Sequence, residues 1–177
     1  VAKPDVLVIA CNTASTLSLD DIRARVNVPV VGTVPAIKPA AEQTRTGVVG
    51  ILATPGTVRR AYLDDLERQL ASGKIVVRRG TAGLVDMAER AARGQGIDQE
   101  QVTYAVKPMF DPPHGPQIDI VVLACTHFPL IIYASAAACP PGVRLIDTGE
   151  AVARQVIRVT PKTPRPAGEA VAYVTGG

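Results

Sequence analysis

Two stretches of the chain deliver a cysteine in the same setting. Asp5-Val6-Leu7-Val8-Ile9-Ala10-Cys11-Asn12-Thr13 and Asp119-Ile120-Val121-Val122-Leu123-Ala124-Cys125-Thr126-His127 both run Asp, four branched apolar residues, Ala, Cys and two polar residues. An uninterrupted apolar run rich in β-branched residues predicts a strand buried on both faces, as in the middle of a parallel sheet. A thiol at its carboxyl end stands where open α/β sheets bind ligands. A single Cys in that position is commonly a small buried hydrophobe. Two suggest like-built half-sites, with thiols on opposite sides of one bound molecule. Such a pair can take a proton from one face of a carbon and return one to the other, as inversion of a stereocentre requires.

Other polar groups cluster near the same expected strand ends. Asn12, Thr13 and Ser15 are helix-capping residue types, so a helix amino terminus, which favours anions, is expected beside Cys11. Thr54 and Thr57 flank Pro55-Gly56 after another apolar run. A strand passing into a helix there offers main-chain N–H groups to a carboxylate, or the threonines simply cap the helix. Glu89 follows the apolar face Leu84, Val85 and Ala88 of a predicted helix, and by periodicity it is a surface carboxylate. His114, in a Pro-rich loop, and Cys139, in a Cys-Pro-Pro-Gly turn, lack the setting of the first two thiols and receive no role. Cys11, Cys125 and His127 are zinc-ligand types, but they come without metal-type spacing or a fourth partner. No metal is expected, and no lysine stands in a recognisable pyridoxal site.

The elements that must position these groups follow from the hydrophobic pattern. Strands are expected over 6–10, 28–32, 47–54, 74–78, 120–124 and 143–147, with an edge strand at 171–175. Helices are expected from Cys11 to about 26 and over 36–44, 58–70, 82–92, 97–109, 130–138 and 151–159, with Thr81 and Thr148 as caps. Strands alternating with helices make an α/β protein with mainly parallel sheets flanked by helices. The repeated strand tip suggests two quasi-symmetric lobes with the active site in the cleft between them. Residues 1–32 with 146–177 are assigned to the first lobe and 33–145 to the second.

Composition narrows the class. The 177 residues are 47% hydrophobic but only 3% aromatic, which gives an aliphatic core. A net charge of +3 with scattered Lys and Arg does not make a nucleic-acid surface. Three cysteines without a C-x-x-C pair argue for reduced thiols in a cytoplasmic protein. No apolar run reaches membrane-spanning length, so no membrane partner is expected.

Cys11-Asn12-Thr13-Ala14-Ser15 and Cys125-Thr126-His127-Phe128-Pro129-Leu130 resemble the two signature segments of the aspartate/glutamate racemase superfamily, and within it the glutamate racemases. Segments 31–40, 50–58, 80–89 and 147–153 resemble further family segments in the expected order. The resemblance covers residues 1 to about 158. It implies cofactor-independent interconversion of L- and D-glutamate, supplying D-glutamate for peptidoglycan, with glutamate as the small-molecule partner and a homodimer left open. It makes Cys11 and Cys125 the two acid/base residues, with His127 assisting Cys125. Asn12, Thr13, Thr54, Thr57 and Thr126 would hold the substrate's carboxylates and amine, and Glu89 matches a family carboxylate near the site.

The sequence also departs from the pattern. The family opens on an Asp-Ser-Gly-type loop followed by a Pro-Tyr-Gly segment, and neither occurs in these residues, which begin with Val1. The expectation is that the start is missing and the first lobe incomplete. Two alternatives follow: a superfamily racemase or decarboxylase acting on aspartate, hydantoins or malonates, or a truncated binding domain without catalysis.

Overall fold

The computed structural model describes residues 3–59, 61–162 and 171–173. The most apolar segments form its centre. β3 (Val48–Ala53), β4 (Ile75–Gly80), β5 (Ile120–Leu123) and β6 (Arg144–Ile146) make a parallel sheet in the order β4-β3-β5-β6. β1 (Leu7–Ile9) and β2 (Val30–Gly32) pair in parallel as a second sheet. Parallel neighbours need crossovers, and helices supply them.

Alternate residues of the four-stranded sheet feed two cores. Val48, Leu52, Val121 and Leu123 pack against α5 (Gly83–Ala92) and α6 (Gln99–Val106) through Leu84, Ala88, Val102 and Val106. Val49, Ile51, Ile120 and Val122 face α2 (Ile37–Gln43) and α4 (Ala61–Leu70) through Ile37, Ala40, Leu63 and Leu66. Covered on both faces, β5 is fully buried, as its unbroken apolar run implies. Its start is pinned by Asp119, whose carboxylate accepts from Thr44 Oγ1 at 2.6 Å, the Arg45 N–H at 2.8 Å and Thr46 Oγ1 at 3.1 Å.

β1 does not share that environment. Val8 is 40% exposed, because among the described residues β1 has only β2 beside it. The two look-alike strands thus differ in burial while agreeing in what they carry. α1 (Asn12–Arg25) is held against this smaller sheet by buried Ser15, whose Oγ donates to the Ile9 carbonyl and accepts from the Thr33 N–H at 2.9 Å. Gly32 permits the approach, since a Cβ there would stand 2.9 Å from Leu19 Cδ2.

Several local expectations are corrected. Pro55-Gly56, expected before the 58–70 helix, lies within a separate one-turn helix, α3 (Pro55–Val58), with Pro at its first position, where a missing N–H costs nothing. The predicted 97–109 helix is α6, capped by Asp98, followed by a 3₁₀ turn over Lys107–Met109 that contains Pro108. Thr81 does not cap α5, and no side chain does. The helix after His127 begins as a 3₁₀ turn, Phe128–Ile131, and continues as α7 (Ile132–Ala137). Thr148 makes no capping bond to α8 (Gly149–Val159), and Asp147 Oδ1 accepts from the Gly149 N–H instead. Of the edge strand expected at 171–175, residues 171–173 have no regular structure and the rest lie outside the described residues. No described helix is long and apolar enough to cross a membrane.

Candidate functional site

Three strand ends meet at one cavity. β3 and β5 pair Leu52 with Leu123, and the Ala124 N–H donates to the Leu52 carbonyl at 2.8 Å. Thr54 and Cys125 therefore leave the large sheet as neighbours, and β1 brings Cys11 from the small one. Two hydrogen bonds join the sheets here. Thr126 Oγ1 donates to the Ala10 carbonyl at 3.1 Å, and the Thr13 and Thr57 hydroxyls share a bond of 2.8 Å.

The cavity, about 140 Å³ and open to solvent on one side, is lined by Cys11, Asn12, Thr13, Thr54, Thr57, Cys125, Thr126 and His127, with Val85 as an apolar wall. Every residue given a site role in the sequence lies here except Glu89, which reaches the cavity through His127. A larger cavity of about 580 Å³ lies between the β2–α2 connection and α8, but it holds neither thiol nor imidazole. The chemistry is concentrated in the smaller space.

On one side, Cys11 is itself the cap of α1: its Sγ accepts from the Ala14 N–H at 3.4 Å. The expected capping residues do otherwise. Asn12 and Thr13 lie within the first turn, and Ser15 is spent on the β1–β2 connection. Asn12 is only 3% exposed, yet its Oδ1 has no hydrogen-bond partner among the described residues. A buried acceptor left open beside a cavity is a place for a ligand's N–H.

Cys125 occupies the other side and is buried. Burial pushes its thiol up from the ordinary value, main-chain hydrogen bonds at His127 and Phe128 offset part of this, and the neighbouring Cys11 adds to the rise. Cys125 thus rests as a protonated thiol at neutral pH. His127 Nδ1 lies 3.9 Å from its Sγ, and His127 Nε2 lies 2.8 Å from Glu89 Oε1. A carboxylate oxygen accepts, so the imidazole carries a hydrogen on Nε2 and faces the sulfur with Nδ1. Glu89 Oε2 in turn accepts from Arg93 Nη2 at 3.2 Å. Helical periodicity alone put Glu89 on the surface, and it is half exposed there; only packing of the 3₁₀ turn on α5 reveals its partner.

Sequence reasoning passed over Arg93, although its i,i+4 spacing from Glu89 was a signal. It also gave no site role to Asp147, Thr148 and Gly149, which line a second space of about 270 Å³ against Cys125 and Thr126. Among the described residues no three His, Cys, Asp or Glu side chains converge as metal ligands would. What the arrangement offers is two thiols and an imidazole facing one small cavity, ringed by hydroxyls and a helix amino terminus.

Comparison with known proteins agrees with this fold. Glutamate racemase from Sphingopyxis alaskensis is 51% identical over 158 residues, covering 89% of this chain and 59% of that protein. The Brucella canis glutamate racemase is 48% identical over 159 residues, covering 89% and 57%. The chain thus spans a little under three fifths of these relatives. Escherichia coli glutamate racemase, solved in complex with L-glutamate and the activator UDP-MurNAc-Ala, superimposes with a TM-score of 0.85 at 39% identity, over 96% of this chain and 63% of that one. The family model for Asp/Glu/Hydantoin racemases matches residues 2–156, from before the first strand to the last helix. Carrying both cysteine-tipped strands within that match, the chain belongs to the Asp/Glu/Hydantoin racemase family.

Proposed function

We propose that this chain contributes the two proton-transfer groups of a glutamate racemase, which interconverts L- and D-glutamate without a cofactor. The observation that carries the reading is the placement of Cys11 and Cys125, on strands of different sheets, against one 140 Å³ cavity. Its relatives are named for glutamate, and the E. coli relative was solved with L-glutamate bound. D-Glutamate made this way would serve peptidoglycan synthesis.

The chemistry is a proton exchange at Cα. One cysteine acts as thiolate and takes the Cα proton; the electron pair left behind spreads into the α-carboxylate. Hydrogen-bond donors at the start of α1, the Thr13 hydroxyl among them, stabilise that charge. The opposite cysteine, as thiol, delivers its proton to the other face. In the reverse reaction the roles exchange. His127, oriented by Glu89, receives the Cys125 proton when that residue must act as base, which offsets the cost of ionising a buried thiol.

The test is D-glutamate formation from L-glutamate, followed by circular dichroism in the intact gene product. Cys11→Ala and Cys125→Ala each abolish turnover, while circular dichroism of the main chain stays unchanged. Near-normal turnover in either variant would overturn the two-base reading.

A further inference from the structure

Thr13, Thr54 and Thr57 form a hydroxyl chain whose proton count is restrictive. Thr57 Oγ1 bonds to Thr13 Oγ1 at 2.8 Å and to Thr54 Oγ1 at 3.1 Å. Thr57 is 2% exposed, and these two hydroxyls are its side-chain partners among the described residues. A hydroxyl has one proton to give. Thr57 therefore donates to one neighbour and accepts from the other. If it donates to Thr13, the Thr13 proton is free to point outward and the Thr54 proton is consumed; if it donates to Thr54, the reverse holds. In either state one end of the chain is a donor and the other can only accept.

The surroundings choose the direction. Thr13 lies in the first turn of the 14-residue α1, where main-chain N–H groups and the helix dipole favour an anion. Thr54 precedes the four-residue α3 and makes no capping bond to it, although Thr commonly does so at that position. Its hydroxyl is committed sideways to Thr57 instead. Gly80 allows this packing: a Cβ there would stand 2.8 Å from Val58 Cγ2 and 3.1 Å from Pro55 Cα, pushing α3 away from β4.

We infer that Thr57 is a positioning residue that polarises this chain for an α-amino acid, so that Thr54 accepts from the ligand's ammonium group while Thr13 donates to its α-carboxylate. The inference rests on the glutamate reading and deepens it, moving Thr57 from a ligand contact to the link between two contacts. Proton donation along a chain of hydroxyls is cooperative, so a cation at one end strengthens the donor at the other. The arrangement thus recognises the ammonium and carboxylate together, across the joint between the two sheets. As charge builds on the carboxylate during Cα deprotonation, the same chain donates more strongly.

The experiment compares wild type, Thr57→Val and Thr57→Ser in the intact gene product. Binding of glutamate and of glutarate, which lacks the ammonium group, is measured by calorimetry, and racemisation kinetics are measured alongside. Val keeps the shape and removes the hydroxyl; Ser keeps the hydroxyl. The expected result is that Thr57→Val raises the glutamate Kd by about three- to tenfold, the range of one net hydrogen bond. Glutarate binding changes less, so the preference for glutamate over glutarate shrinks, and Thr57→Ser restores it. Equal weakening of both ligands in Thr57→Val, or no rescue by Ser, overturns the linkage while leaving the glutamate reading intact. A wild-type protein that neither binds nor turns over glutamate overturns both.

Discussion

Glu89 Oε1 and His127 Nε2 stand 2.8 Å apart although they are 38 positions apart in the chain. The contact couples a helix-surface carboxylate to a buried thiol through one imidazole, since His127 Nδ1 faces Cys125. A bond to a charged acceptor contributes about 1.5–3 kcal/mol. Glu89→Ala is therefore expected to lower kcat/KM for glutamate by about 10- to 100-fold, and Glu89→Gln, which retains an acceptor oxygen, by less. Because enantiomers have equal free energy, kcat/KM falls equally in both directions. Steady-state kinetics from both L- and D-glutamate check this, and a loss below about twofold removes Glu89 from the machinery.

How much of this was legible in the sequence depends on the range of the interactions. The β5 run announced itself because burial on both faces leaves no polar alternation to obscure it, and the thiol at its end followed directly. The β1 run has the same letters and a half-exposed strand, because burial depends on neighbours that a strand's own residues do not specify. Glu89 was placed on the helix surface, where it is half exposed, but its partner stayed hidden because helical periodicity sees one helix at a time and that partner comes from another element. The capping residues failed for a related reason: Cys11, Thr54 and Thr148 occupy cap positions, yet only the thiol accepts a helix N–H.

Asp119 makes an acid-stability prediction. Burial alone would raise its carboxyl, but hydrogen bonds from Thr44, Arg45 and Thr46 outweigh it and hold the folded value below the ordinary carboxylate range. A depressed folded value gives stability that is present above the unfolded value, about 3.9, and is lost as pH falls through the folded one. Asp119→Asn is expected to lose about 1–3 kcal/mol at neutral pH, because an amide NH2 then faces either the Arg45 N–H or the Thr44 and Thr46 hydroxyls. Thermal unfolding between pH 7 and 3 should show a shallower acid decline in the variant than in wild type. Parallel declines would mean that Asp119 is not the group responsible.

Cys139 separates structural from chemical thiols. Burial pushes it up to about 11, and its Sγ donates to the Ser135 carbonyl at 3.2 Å. The thiolate is the nucleophile, so at pH 8 Cys139 should resist iodoacetamide in the folded protein and react once denaturant is added. Peptide mass spectrometry reads both states. Cys139→Ala should leave glutamate turnover within a few-fold, and a larger loss would show that the thiol count at the site is wrong. A raised folded value also means that its contribution to stability is full below the unfolded value and is lost as pH rises through about 11.

Isotope incorporation tests the placement of the two thiols directly. Cys11 comes from the small sheet and Cys125 from the large one, and both line the same cavity. If each serves one face of Cα, the group that removes the substrate proton is not the group that supplies the product proton. The supplying thiol has exchanged with solvent before the substrate arrives. In heavy water the first molecules of D-glutamate formed from L-glutamate should therefore carry deuterium at Cα, while the remaining L-glutamate stays largely unlabelled. Proton NMR of the two enantiomers, separated at less than about one-tenth conversion, reads the distribution. A single base reaching both faces would return the original proton to part of the product and leave it unlabelled. Substantial protium in early D-glutamate would place one sulfur, and not two, at the reacting carbon.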